Sequence, residues 1–117
     1  MTTGALERIR AICLALPEAA EKLSHGSPTF FVGKRVFVMY LDDHHGDGRL
    51  AIWCAAPEGA QHMLVEAEPE HFFVPPYVGH RGWLGVHLNR GLEWDEIESI
   101  CRRAWELVAP RRLVGSS

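Results

Sequence analysis

Three short stretches of this chain hold side chains that could do chemistry: SHGSP at 24–28, DDHHGDG at 42–48 and FFVPPYVGHRGW at 72–83. His25 and His80 would make an acid–base pair if their loops met at one end of a sheet, because imidazole changes charge near neutral pH. No nucleophile with a companion base accompanies them. Ser24 and Ser27 lack the strand–turn–helix elbow that strains a serine for attack, and no cysteine stands beside a histidine. The glycines around His80 match neither a phosphate loop nor a dinucleotide fingerprint. The plainer alternative is that both histidines bond backbone in tight loops. No residue is assigned a catalytic role.

Asp42, Asp43, His44, His45 and Asp47 offer metal-ligating atoms. Neighbours on an extended chain point opposite ways, so few of them converge. Their spacing fits neither a calcium loop nor a zinc motif, and Asp and Gly are what a hairpin turn uses. We therefore expect no metal and no cofactor. Glu66, Glu68 and Glu70 surround Pro69 and read as a solvated helix end.

The basic side chains carry more interest. Lys34 and Arg35 fall at one hairpin tip, Arg49 leaves the next turn, His80 and Arg81 lie in the 72–83 stretch, and Arg90 lies in the last turn. Projecting hairpins with such tips can touch phosphates; charged tips also blunt sheet edges. Against this, the net charge is −3, whereas dedicated nucleic-acid binders are usually strongly basic. Charge is evenly spread, with no basic or acidic tail.

These stretches need elements to position them. At 117 residues the chain makes about one domain, large enough to bury a core without staples. Cys13, Cys54 and Cys101 form no CxxC pair and sit in apolar runs, so they read as buried thiols in a reducing, cytoplasmic setting. No signal peptide is evident, and no apolar run approaches the roughly 20 residues that span a bilayer.

Helical spacing marks residues 3–16, with Thr3 as N-cap and Pro17 as the stop. An irregular stretch, EAAEKLSHGSP, follows. TFFV (29–32), RVFVMYL (35–41) and RLAIWCA (49–55) read as a three-stranded meander. Pro57 opens a second helix whose apolar side is Ala60, Met63, Leu64 and Ala67; Pro69 ends it. EHFFV (70–74) and GWLGVHL (82–88) are strands, and Ile97, Ile100, Cys101, Ala104, Leu107 and Val108 define a last helix over 94–108. The tail VGSS reads as frayed. The order α-β-β-β-α-β-β-α excludes a doubly wound parallel fold. It predicts a single two-layer α+β domain, a five-stranded antiparallel sheet with helices on one face.

HGSPTFFVGKRVFVMY (25–40), FFVPPYVGHRGWLGVHL (72–88) and WELVAPRRL (105–113) together resemble the MmcQ/YjbR-like family of small bacterial proteins. The resemblance covers nearly the whole chain. It implies a CyaY-like or secretion-chaperone-like fold, and a DNA-binding role through a double wing of β-hairpins. It brings no catalytic residues with it. The expectation is a non-enzymatic protein, monomer or homodimer, that binds double-stranded DNA weakly and salt-sensitively through Lys34, Arg35, Arg49, His80, Arg81 and Arg90. The alternative is a protein- or small-ligand-binding module that uses His25, Tyr77, His80, Arg81 and Trp83.

Overall fold

The structure, a computed structural model, describes residues 4–114. In chain order the elements are α1 (Ala5–Leu14), β1 (Ala19–Ser24), β2 (Ser27–Val32), β3 (Arg35–Asp42), β4 (Leu50–Cys54), α2 (Ala60–Ala67), β5 (Phe72–Phe73), β6 (Leu84–His87), α3 (Trp94–Val108) and α4 (Arg111–Val114). The strands form one antiparallel sheet in the order β1-β2-β3-β4-β6-β5. The helices lie on one side of it, so the α+β two-layer architecture is as expected.

The sheet has six strands rather than five. The addition is β1, whose sequence AAEKLS shows little alternation: Lys22 and Leu23 are both exposed. What makes it a strand is its pairing with β2 across a two-residue turn. His25 and Gly26 both take left-handed backbone, at φ 52° and 81°, which is the requirement of a type I′ hairpin. The next turn has Gly33 at φ 62° while Lys34 is not left-handed, the pattern of a type II′ turn.

Other boundaries differ from the expectation by a few residues. Thr3 and the last residues of the VGSS tail lie outside the described residues; Val114 closes α4, which the sequence did not suggest. Pro57 belongs to the turn before α2, accepting a hydrogen bond from the Ala60 amide (3.0 Å). The packed side of α2 is also narrower than expected. Ala60 and Leu64 line a hollow with Leu84 and Ile100, but Met63 is 63% exposed.

The strands' two-residue period divides the sheet into two faces. Val38, Ile52, Cys54, Leu84 and Val86 face the helices, where Ile9, Cys13, Ile97, Cys101, Ala104 and Trp105 complete the core. The Trp105 indole N–H donates to the Pro17 carbonyl at 3.1 Å and ties α3 to the end of α1. The Cys13 thiol is held well above its usual range by its hydrogen bond to Cys101 and then by burial; burial does the same for Cys54. A thiol is nucleophilic only as thiolate, so these cysteines are core residues.

Met39, Leu41, Ala51, Trp53, Gly85 and His87 lie on the other face, in cross-strand register. Gly85 is there because Phe73 needs the space: a Cβ on Gly85 would meet three atoms of the Phe73 ring at 2.5–2.6 Å. Gly85→Ala should therefore destabilise the fold by about 1–3 kcal/mol, as overpacking does. Chemical denaturation of the two proteins measures this; equal midpoints would mean that the ring moves aside freely.

Candidate functional site

No helix covers the Trp53 face, yet Trp53, Phe73, Trp83 and His87 are all buried there. Side chains from loops cover them instead. His44 stands edge-on to Trp53 (centroids 5.1 Å apart, 82°), and Tyr77 lies 6.4 Å from the same ring. The Arg49 guanidinium sits 4.1 Å over Phe73, and that of Arg81 sits 5.2 Å over Trp83. Such cation–aromatic contacts contribute about 0.5–2 kcal/mol each.

Two hollows result. The larger, about 470 Å³, has Met39, Leu41 and Trp53 as its floor and His25, His45 and Tyr77 at its rim. Those three rim residues are all left-handed, at φ 52°, 51° and 65°. Tyr77 is the centre of a γ-turn closed by the Val78 amide and the Pro76 carbonyl at 2.6 Å; a γ-turn with positive φ is the rare, strained form. It leaves the Tyr77 side chain 69% exposed. A buried His44 Nε2 has no hydrogen-bond partner among the described residues.

The second hollow, about 280 Å³, brings Lys34 and Arg35 together with Arg81 and Trp83. Strand register explains the meeting. Leu84 pairs with Cys54, and Cys54 with Val38, so the segment entering β6 lies at the β2–β3 turn. The Gln61 side-chain amide of α2 pins that segment by donating to the carbonyls of Gly79 (2.8 Å) and Trp83 (2.6 Å). Gly79 is required where it stands, since a Cβ would meet Val74 Cγ1 at 2.7 Å.

The candidate residues thus separate into groups. Lys34, Arg35, Arg81 and Trp83 share one hollow; His25 and Tyr77 share the other; His80 is exposed and lines neither. Arg49 and Arg90 stand near His87, at the end of the sheet away from Lys34. Burial, then Arg90 and Arg49, hold the His87 pKa below its ordinary value. The DDHHGDG stretch is a turn built by its own aspartates: Asp43 accepts from the Gly48 amide (2.7 Å) and Asp47 from the Arg49 amide (2.8 Å). Among the described residues, the donor atoms that converge within 4.8 Å are those of Glu68, Glu70 and His71. There Glu68 hydrogen-bonds His71 at 2.9 Å and raises its pKa.

Met39, Trp53 and Gln61 were not expected at the site. Cross-strand parity could have placed Met39 beside Trp53; nothing in the sequence announces Gln61.

Residues 14–107 match the YjbR family. The chain belongs to the YjbR family. A solved structure, Deinococcus radiodurans protein DR2400, described as a DUF419 domain, superposes on this YjbR protein with a TM-score of 0.77 at 17% identity, covering 95% of this chain and 86% of that one. At that identity the likeness concerns the fold. No curated protein matches the chain. Among the described residues no helix of this YjbR protein is long and apolar enough to cross a membrane.

Gln61→Leu should loosen the 79–83 segment and cost about 1–3 kcal/mol, the loss of two hydrogen bonds to partly buried carbonyls. Faster amide exchange confined to that segment is the expected signature; unchanged exchange would mean that the segment holds itself. The two shifted histidines should titrate on opposite sides of the ordinary value of about 6.5: His71 above it, His87 below. By linkage, His71 stabilises the fold at low pH and that contribution fades as pH rises through its raised pKa. His87 acts the other way, costing stability as pH falls from the ordinary value through its lowered one. NMR titration checks both, and Glu68→Gln should bring only His71 back.

Proposed function

We propose that this YjbR protein is a non-enzymatic binding protein that contacts the phosphates of DNA from the end of the sheet where the β2–β3 turn meets Arg81. One observation carries the reading. Lys34, Arg35 and Arg81 surround a single hollow beside Trp83, and among the described residues none of the three is ion-paired. Of the nine cations elsewhere among the described residues, four are neutralised by ion pairs, Arg10 by Glu7 and Glu21, Arg102 by Glu98, Arg103 by Glu106 and Arg112 by Glu18, and three, Arg8, Lys22 and Arg49, lie over aromatic rings. An exposed ion pair is worth little to stability, but it removes a charge from any phosphate-binding surface.

The geometry narrows the contact set. Arg49 lies with Arg90 near His87, away from this hollow, and His80 is outside its lining. That leaves three phosphate contacts in a protein of net charge −3. Binding is therefore weak, since long-range attraction is absent. The reading is non-enzymatic because all three cysteines are buried, the pKa values of Cys13 and Cys54 are pushed up, and His25 has no carboxylate partner among the described residues.

With three contacts, the affinity for a duplex should fall with salt at a log–log slope of about −2.7, from roughly −0.9 per phosphate. Titration of a fluorescent duplex between low and moderate salt measures it. Lys34→Ala/Arg35→Ala/Arg81→Ala together should abolish binding, and Arg102→Ala/Arg103→Ala should leave it intact. Binding that ignores salt, or that survives the triple change, contradicts the assignment.

A further inference from the structure

The two hollows are neighbours on the sheet: Met39 lines both the basic one around Lys34, Arg35 and Arg81 and the aromatic one around Trp53 and Tyr77. We propose that the aromatic hollow receives the planar base of an unpaired nucleotide, whose neighbouring phosphates lie toward Lys34, Arg35 and Arg81. This rests on the phosphate-binding reading and adds the part of the ligand which that reading leaves without a place.

Four properties of the hollow fit a base. Its volume, about 470 Å³, falls within the range of small-molecule sites. Its lining includes no Lys, Arg, Asp or Glu, so a neutral group is accommodated inside while the charge stays outside, where the cations are. Its aromatic members, Trp53 on the floor and Tyr77, His25 and His45 at the rim, offer stacking surfaces, and every base has a π-face to place on them. The hydroxyls of Ser24 and Ser27 stand at the same rim and can reach a base edge.

The reach also fits. Arg35 precedes Met39 by four positions on β3, or about 13 Å of strand. A long basic side chain and one or two nucleotides cover that distance. A paired base is held in its stack and cannot enter such a hollow without being flipped out, so the partner is an unpaired nucleotide.

Tyr77 is the residue that most needs this explanation. A large aromatic side chain, 69% exposed, is presented by a strained γ-turn closed by the Val78 amide on the Pro76 carbonyl. Strain of this kind persists only where the surrounding structure imposes it. The Tyr77 ring lies 6.4 Å from Trp53 and is tilted 48° to it, which leaves one of its faces available to a flat guest.

The experiment compares three ligands at low salt: a short single-stranded oligodeoxynucleotide, a duplex of the same length and a free nucleoside monophosphate. Intrinsic tryptophan fluorescence reports the change at Trp53 and Trp83 over the constant signal of Trp94 and Trp105. The single strand should bind at least about fivefold tighter than the duplex, the low end of what one stacked base contributes. Tyr77→Asn should remove that advantage and leave the salt slope unchanged. Asn tolerates left-handed backbone and the side chain is exposed, so the variant keeps its fold; Tyr77→Phe should retain the advantage. If duplex and single strand bind equally and Tyr77→Asn changes neither, the base assignment is overturned while the phosphate reading stands. If no nucleic acid binds at low salt, the phosphate reading fails and this one with it. A free nucleotide that binds as tightly as the strand supports the base assignment and identifies the free nucleotide as its source.

Discussion

The structure turns on an asymmetry: a sheet with apolar side chains on both faces has helices on only one of them. α1 and α3 seal the Val38–Ile52–Val86 side. The opposite side carries Trp53, Phe73 and Trp83, which water would otherwise reach. Burying each such ring is worth several times the thermal energy, so something must cover them. The chain uses loop side chains: His44 and Tyr77 over Trp53, Arg49 over Phe73, Arg81 over Trp83. A helix would have made that face inert. Covering it with arginines and aromatic rings leaves charge and π-surface at the boundary with solvent, which are the materials of recognition.

The same asymmetry explains where the backbone is strained. Among the described residues, four of the five left-handed ones that are not glycine border the open face or its turns: His25, Asp43, His45 and Tyr77. Each costs on the order of 1–3 kcal/mol. The core on the helix side has ordinary geometry and can bear that cost. Packing stability and site geometry thus occupy opposite faces of one sheet, coupled through residues such as Gly85, whose missing side chain lets Phe73 lie flat against β6.

Much of the architecture was legible in the sequence. The 3.6-residue period of α3 and the two-residue period of β3, β4 and β6 are strong because each element buries one side. β1 was not legible: as the edge strand it buries little, so AAEKLS alternates poorly, and its pairing depends on the turn at His25 and Gly26. At the site, Lys34, Arg35 and Arg81 were recognisable as cations at tips, and the register then brought them together. Arg49 is expected from the sequence among the DNA contacts, because its stacking on Phe73 joins residues far apart in the chain. His25 and His80 were read as a possible pair, but the turn carrying His25 lies at the Asp42–Leu50 end, while His80 adjoins Arg81. Gln61 left no trace, since a lone amide that bonds two distant carbonyls has no local pattern.

The central claim is that the open face, and not the helical one, is the working surface. Amide and indole chemical-shift mapping of the labelled protein during titration with a short oligonucleotide tests it most directly. The account predicts shifts that gather at Lys34, Arg35, Met39, Tyr77 and Arg81 and at the Trp53 indole, with α1 silent and α3 silent up to Val108, which borders the basic hollow. Shifts centred on Arg102, Arg103 and the outer surface of α3, with the open face unchanged, would contradict it.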